Sequence, residues 1–207
     1  MALMNVNPNR MELTRLKNRL TVAKRGHKLL KDKQDALIKA FLEKAKAVRK
    51  TRETVEAELE NCYKDFLMAR AQTIPAMLEA ALMSSAAACE LTIESHNVMS
   101  VLVPEYRVEQ KGSTFSYGMA TTPVSLDVAL ERFSQVIPKL LQLAADEKAV
   151  ALMSSEIEKT RRRVNALEHV LIPSCIETIR HISMKLEEQE RSTLSRLMKV
   201  KEIVRSH

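Results

Sequence analysis

Only three glycines, Gly26, Gly112 and Gly118, occur in a chain of 207 residues, and their positions limit the possible fold more than any other feature. Glycine and proline break helices most readily, so the place where they gather marks where a chain reverses. Here that place is the centre, where Pro104, Gly112, Gly118 and Pro123 fall close together. The arms on either side have almost no such joints, and each predicts a long helix. Aromatic residues make up 3% of the chain and tryptophan is absent, which is poor material for a thick globular core. A single thin, elongated, mainly α unit over residues 1–207 is expected.

The first arm carries a coiled-coil seam. Apolar or small residues recur at alternating steps of three and four through Leu13, Leu16, Leu20, Ala23, Leu30, Leu37 and Phe41, with His27 and Gln34 in polar slots, a spacing that draws one stripe along a helix. The stripe continues through Ala45, Val48, Val55, Leu59, Cys62 and Phe66, with Arg52 on it. Two successive four-steps from Leu37 to Ala45 resemble a stutter, where supercoiling relaxes. Asn9 and Glu12 give a capping-box-like start and Thr73-Ile74-Pro75 a stop, predicting a helix over 9–73, roughly 90 Å long. The second arm predicts a helix over 125–205 whose seam includes Ile157, Val164, Leu167, Leu171, Cys175, Ile179, Ile182, Leu186, Leu197, Val200 and Val204. Pro138 and Pro173 lie inside it; the apolar period runs across both, so kinks rather than ends are expected. Together the arms predict an antiparallel two-helix coiled coil.

Between the arms, Pro75 opens an alanine-rich stretch that predicts a short helix over 75–89. Residues 90–122 then read as a small β-hairpin, rich in valine, isoleucine and leucine up to Val108, with Phe115, Tyr117 and Met119 alternating after Gly112. Its aromatics Tyr106, Phe115 and Tyr117 either pack on the protein's own helices or form an exposed docking surface.

Charge is unevenly spread. Residues 1–33 carry nine Lys or Arg against Glu12 and Asp32, whereas residues 71–150 are net acidic. In residues 191–207, Arg191, Arg196, Lys199, Lys201 and Arg205 face the single acid Glu202. If the arms fold back on each other, the two basic ends share one tip.

The sequence carries no recognisable catalytic motif. Cys62, Cys89 and Cys175 are odd in number and widely separated, which suggests packed reduced thiols and neither a disulfide framework nor a zinc site. The five histidines show no metal-ligand spacing, and no cofactor motif or catalytic residue is recognised. Glu56 and Glu60 lie at i and i+4 as part of a solvated face. Gly26, in Arg25-Gly26-His27-Lys28, lacks the spacing of a phosphate-binding loop. It marks either a close helix approach or a point where a partner's backbone comes near. No charged-then-apolar leader occurs in residues 1–10, and no run of about 18 apolar residues appears. A soluble cytoplasmic chain is therefore expected.

One cluster stands out, Glu158 to His169 with Arg161, Arg162 and Arg163. At about 100° per residue three consecutive arginines cannot share the seam. They form either a solvated band or an anchor for an acidic surface.

Three blocks carry a resemblance. Asn7 to Leu13, Ala23 to Lys33, and Thr160 to Glu168 with Ile172-Pro173 closely resemble the D-subunit family of V-type and A-type rotary ATPases, especially its bacterial members. The ending, from Lys185-Leu186-Glu187-Glu188 to Lys201, is similar too, and the central hairpin is least so. The resemblance implies a non-catalytic rotor shaft whose coiled coil enters the hexamer of catalytic A and B subunits. It also implies the small F subunit alongside and, at the other end, the funnel-like subunit that caps the membrane ring. Partner contacts are then expected at Arg25, Gly26, Lys28, Arg161, Arg162, Arg163, Arg196, Lys199 and Lys201. The rivals are a generic basic coiled-coil scaffold and a nucleic-acid-associated helical protein; the acidic centre and the absence of an RNA-stacking motif count against the latter.

Overall fold

The computed structural model describes residues 6–83, 86–118 and 122–206, with Ser206 described by its backbone. Helix α1 spans Arg10–Gln72, α2 Pro75–Met83, strands β1 and β2 Ala88–Val98 and Val101–Lys111, and α3 Val124–Ala166. A π-helical turn at Leu167–Leu171 leads into α4, Ile172–Ser206. Internal contacts group the chain into two compact units, one of residues up to Ala36 with those from Ile157 onward, the other Leu37–Glu156.

In the first unit the start of α1 lies antiparallel to the C-terminal helix: Arg10 pairs with Glu190 and His27 with Glu168. Leu16 and Ala23 are buried on one side, Val164, Cys175 and Ile182 on the other. Two seam positions that an apolar count overlooks are Thr160 and Thr178, 1% and 2% exposed. Thr178 satisfies its hydroxyl locally by donating to the Ser174 carbonyl at 2.7 Å, which lets a polar residue sit in an apolar seam.

Pro173 explains the π turn. Proline has no N–H, and its ring collides with the carbonyl four residues back in a regular α-helix. Widening the preceding turn relieves that crowding: the Ile172 N–H donates to Leu167, five residues back. Ser174 Oγ then donates to the Leu171 carbonyl at 3.0 Å, and the helical run continues past the proline as expected.

In the second unit the rest of α1 lies antiparallel to α3, with Lys44 on Asp146, Lys139 on Glu58 and Arg132 on Asp65. Val55 and Cys62 are buried with Val136 and Leu143, and Val48, Leu59, Phe133 and Leu140 pack around them. Phe133 receives Tyr63 and Phe66 edge-on, at centroid distances of 5.8 and 6.5 Å. Arg52 is the one exposed member of the α1 seam in this unit; it reaches out to Glu56 and Glu147. A second cluster joins Ala69, Leu78, Ala81 and Leu126, with Phe66, Tyr117 and Leu130 against it. The alanines of α2 allow that close packing.

Three expectations for the centre are corrected. The short helix ends at Met83, because Ala88 and Cys89 join β1, opposite Lys111 and Gln110. Ser84 and Ser85 lie outside the described residues. The hairpin reverses at Met99 and Ser100, whose φ values are 51° and 71°, not at a glycine. Two positive φ angles make the tight turn whose twist suits a hairpin, and Asn97 Oδ1 supports it by accepting from the Ser100 N–H at 2.9 Å. Phe115 and Tyr117 therefore lie after β2 rather than in it, while Met119 and Thr121 lie outside the described residues. Pro104 sits within β2 opposite Ser95, tolerable because both strands of a two-stranded sheet are edges.

Gly112 closes the strand. Its φ is +88°, and a Cβ there would overlap the Ala86 carbonyl oxygen, so only glycine fits this exit. The loop that follows is tied down at two adjacent residues. Ser116 Oγ accepts from the Ala86 N–H at 2.9 Å, and Tyr117 donates to Asp127 Oδ1 at 2.5 Å.

Candidate partner interface

The cations expected to meet partners are carried on helix surfaces of the first unit. Arg25 and Lys28 are exposed on α1, and Arg161, Arg162 and Arg163 are all exposed at the end of α3. Arg162 folds back onto Glu158, one helical turn earlier. Among the described residues Arg25, Lys28, Arg161 and Arg163 have no ion-pair partner, so their charge is available to another molecule. Gly26 lies half-buried between Arg25 and His27. Its missing Cβ would meet no atom within 4 Å beyond the helix's own nearby backbone, so close helix approach within the chain does not account for it.

Beside Gly26, His27 Nε2 lies 3.3 Å from Glu168 Oε2 on the π turn. A polar seam residue with one polar partner disfavours slipped alignments of the two helices, at a cost in apolar burial.

The far end of α4 departs from expectation. A continuing seam would bury Leu197, Val200 and Val204, yet they are 60%, 55% and 71% exposed. The reason is geometric. Helix α1 begins at Arg10, which already pairs with Glu190, so residues 191–206 run past the start of the helix they would face. Leu194 and Met198 are exposed there too, beside Arg191, Arg196, Lys199, Lys201 and Arg205. An amphipathic helix end with an uncovered apolar stripe and a cationic surround fits a partner surface that is apolar within and acidic around.

The hairpin offers a different surface. On one face Ile93 is 62% exposed opposite half-buried Tyr106, with Leu91 and Leu102 also exposed. Phe115 is exposed in the following loop, whereas Tyr117 is held against Asp127. The three aromatics thus split between docking-type exposure and local packing. The other face carries buried Val101 and Val103 near the turn and charged pairs along the rest, with Lys111 on Glu90, Arg107 on Glu94 and His96 on Glu105. Ligand atoms of Glu94, His96 and Glu105 lie within 4.8 Å of one another, an arrangement open to a cation that spacing along the sequence does not reveal, because strand register creates it. Among the described residues, no helix is long and apolar enough to cross a membrane.

Comparison with known proteins bears on the whole chain. The family model described as the D subunit of ATP synthase matches residues 12–202. A V-type ATP synthase D subunit from Thermoanaerobacter pseudethanolicus (strain ATCC 33223 / 39E) is 52% identical over 206 residues, covering 99% of both chains. A protein of the same name from Clostridium botulinum (strain Okra / Type B1) is also 52% identical, covering 97% of this chain and 95% of its own. With antiparallel helices and a two-stranded hairpin between them, matched by the family model from Glu12 to Glu202 and by relatives almost end to end, the chain belongs to the ATP synthase D-subunit family.

Proposed function

We propose that this chain is the central-stalk subunit of a V-type rotary ATPase and carries torque between ATP chemistry in a hexamer of catalytic A and B subunits and ion movement in a membrane ring. Family membership across residues 12–202 is the observation that carries this reading. The chain itself is non-catalytic: nucleotide is bound and hydrolysed, or made, on its partners. The small F subunit sits alongside, and the funnel-like subunit receives the end opposite the hexamer.

The residues suit the task. A shaft has to resist twisting, and paired helices with an apolar seam and few glycines are stiffer than a loop-rich domain. Its bearing must attract without a deep well at any one angle. Residues 191–206 supply that, since exposed cations on mobile side chains give broad attraction, screened over about 10 Å at moderate salt. The apolar stripe of Leu194, Leu197 and Met198 slides within the collar. An asymmetric shaft stabilises a different conformation at each catalytic interface in turn, through differential affinity. Arg161, Arg162 and Arg163, with Arg25 and Lys28, position the shaft against the hexamer or a stalk partner.

Reconstitution tests the reading. Purified A and B subunits are expected to retain this chain on size exclusion, and its addition is expected to change their steady-state ATPase rate. Removing residues 191–206 is expected to weaken that association. Hexamers that assemble and turn over identically with and without the chain would contradict it.

A further inference from the structure

We propose that the face of α1 centred on Gly26 is a docking surface for an acidic segment of the catalytic hexamer, whose backbone approaches the Gly26 Cα directly. The inference rests on the rotor reading for the identity of the partner and on three independent observations for the surface.

The first is the glycine itself. In a helix interior glycine is less favourable than alanine by about 1 kcal/mol, a cost usually offset by close packing or by a φ that other residues avoid. Neither applies at Gly26, because the space its Cβ would occupy is open and its φ is not in the left-handed region. The second is what shares its face. Val22 and Leu29 stand four residues before and three after it, so they flank it on one side of the helix, and they are 68% and 69% exposed. The two apolar side chains bracket a gap that is empty within the chain.

The third is charge. Arg15, Arg19 and Lys33 extend the same face by further steps of three and four, with Arg25 at its border. Arg15 is engaged by Glu12 at 3.4 Å, but Arg19 and Arg25 have no ion-pair partner among the described residues. No acid occupies the face between Arg15 and Lys33; Asp32 lies away from it. Arg19 and Arg25, both exposed beside this apolar notch, select an acidic partner with a main-chain segment seated between Val22 and Leu29.

The test measures folding and binding in the full chain. Gly26→Ala and Gly26→Leu are expected to melt at or above the wild-type temperature, since both add helix propensity in open space. Affinity for the reconstituted A–B hexamer is expected to fall about tenfold or more with Gly26→Leu and less with Gly26→Ala, because a side chain then fills the notch. Arg19→Glu is expected to weaken binding and flatten its salt dependence. Unchanged hexamer affinity in Gly26→Leu overturns the docking surface while leaving the rotor reading intact. Lower melting temperatures in both glycine variants overturn it by giving Gly26 a folding role. Failure of the wild-type chain to bind the hexamer overturns the rotor reading together with the partner assigned here.

Discussion

Gln110, at the end of β2, donates its side-chain N–H to the Ser134 carbonyl at 2.7 Å, and that carbonyl is free because Pro138, four residues on, has no N–H to offer it. Ser134 Oγ returns a second bond to Gln110 Oε1 at 3.0 Å. A helix-interior proline thus creates the acceptor on which the hairpin base docks. A two-stranded sheet is marginal alone, so this contact and the Gly112 exit help to hold it, beside the burial of Val101 and Val103 on β2.

Gln110→Ala is expected to lower global stability by no more than about 1 kcal/mol, because the pair is exposed, while speeding amide exchange in β1 and β2. In a Pro138→Ala background the helix recovers its own bond to Ser134, and Gln110→Ala is expected to have a smaller effect. Thermal melts and hydrogen exchange on the four species check this; strictly additive effects would mean that the proline is not the source of the acceptor.

Gly112→Ala combines a left-handed φ with overlap at the Ala86 carbonyl. A loss of about 1 to 3 kcal/mol is expected, with the exchange protection of Ala88–Val98 reduced most. The contrast with Gly26→Ala is the informative part. Equal destabilisation by the two substitutions would refute the different roles given to these glycines.

Tyr117 sets a pH dependence. Burial, and after it the hydrogen bond to Asp127, raises the phenol's pKa above its ordinary value of about 10. The folded chain therefore favours the neutral phenol. That contribution is fully present below about pH 10 and is lost as pH rises toward the folded value, because the unfolded chain ionises first. Tyr117→Phe is expected to be less stable by about 1 kcal/mol at neutral pH, with a shallower decline in alkali. Parallel alkaline declines in the two proteins would count against the assignment.

Thiol chemistry reports on the seams. Cys62 and Cys175 are buried whereas Cys89 is exposed on β1, and burial pushes the Cys62 thiol pKa up. A maleimide is expected to label Cys89 first in the native chain and the other two on unfolding. Prompt labelling of Cys62 would mean that the α1–α3 seam opens readily.

The helical arms are legible in the sequence because a repeat of three and four residues sets which face of a helix is apolar, and Leu16, Ala23, Leu37, Val55 and Cys62 are buried accordingly. Periodicity names a face and not what covers it, so the exposure of Leu197, Val200 and Val204 becomes visible only once α1 is seen to begin at Arg10. The hairpin turn at Met99 and Ser100 is hidden because it carries neither glycine nor an Asn-Gly pair. The alternation of Phe115 and Tyr117 imitates a strand over too short a span to be distinguished from a tethered loop. The cluster of Glu94, His96 and Glu105 depends on pairing Glu94 with Glu105, a register that spacing alone does not supply.

The exposed thiol of Cys89 allows the most direct test of a rotor. With the A–B hexamer fixed to a surface and a bead attached through Cys89, adding ATP is expected to drive the bead continuously in one direction, stopping when nucleotide is removed. Hexamers that hydrolyse ATP with the chain bound, while the bead only fluctuates about a fixed angle, would contradict the central-stalk account.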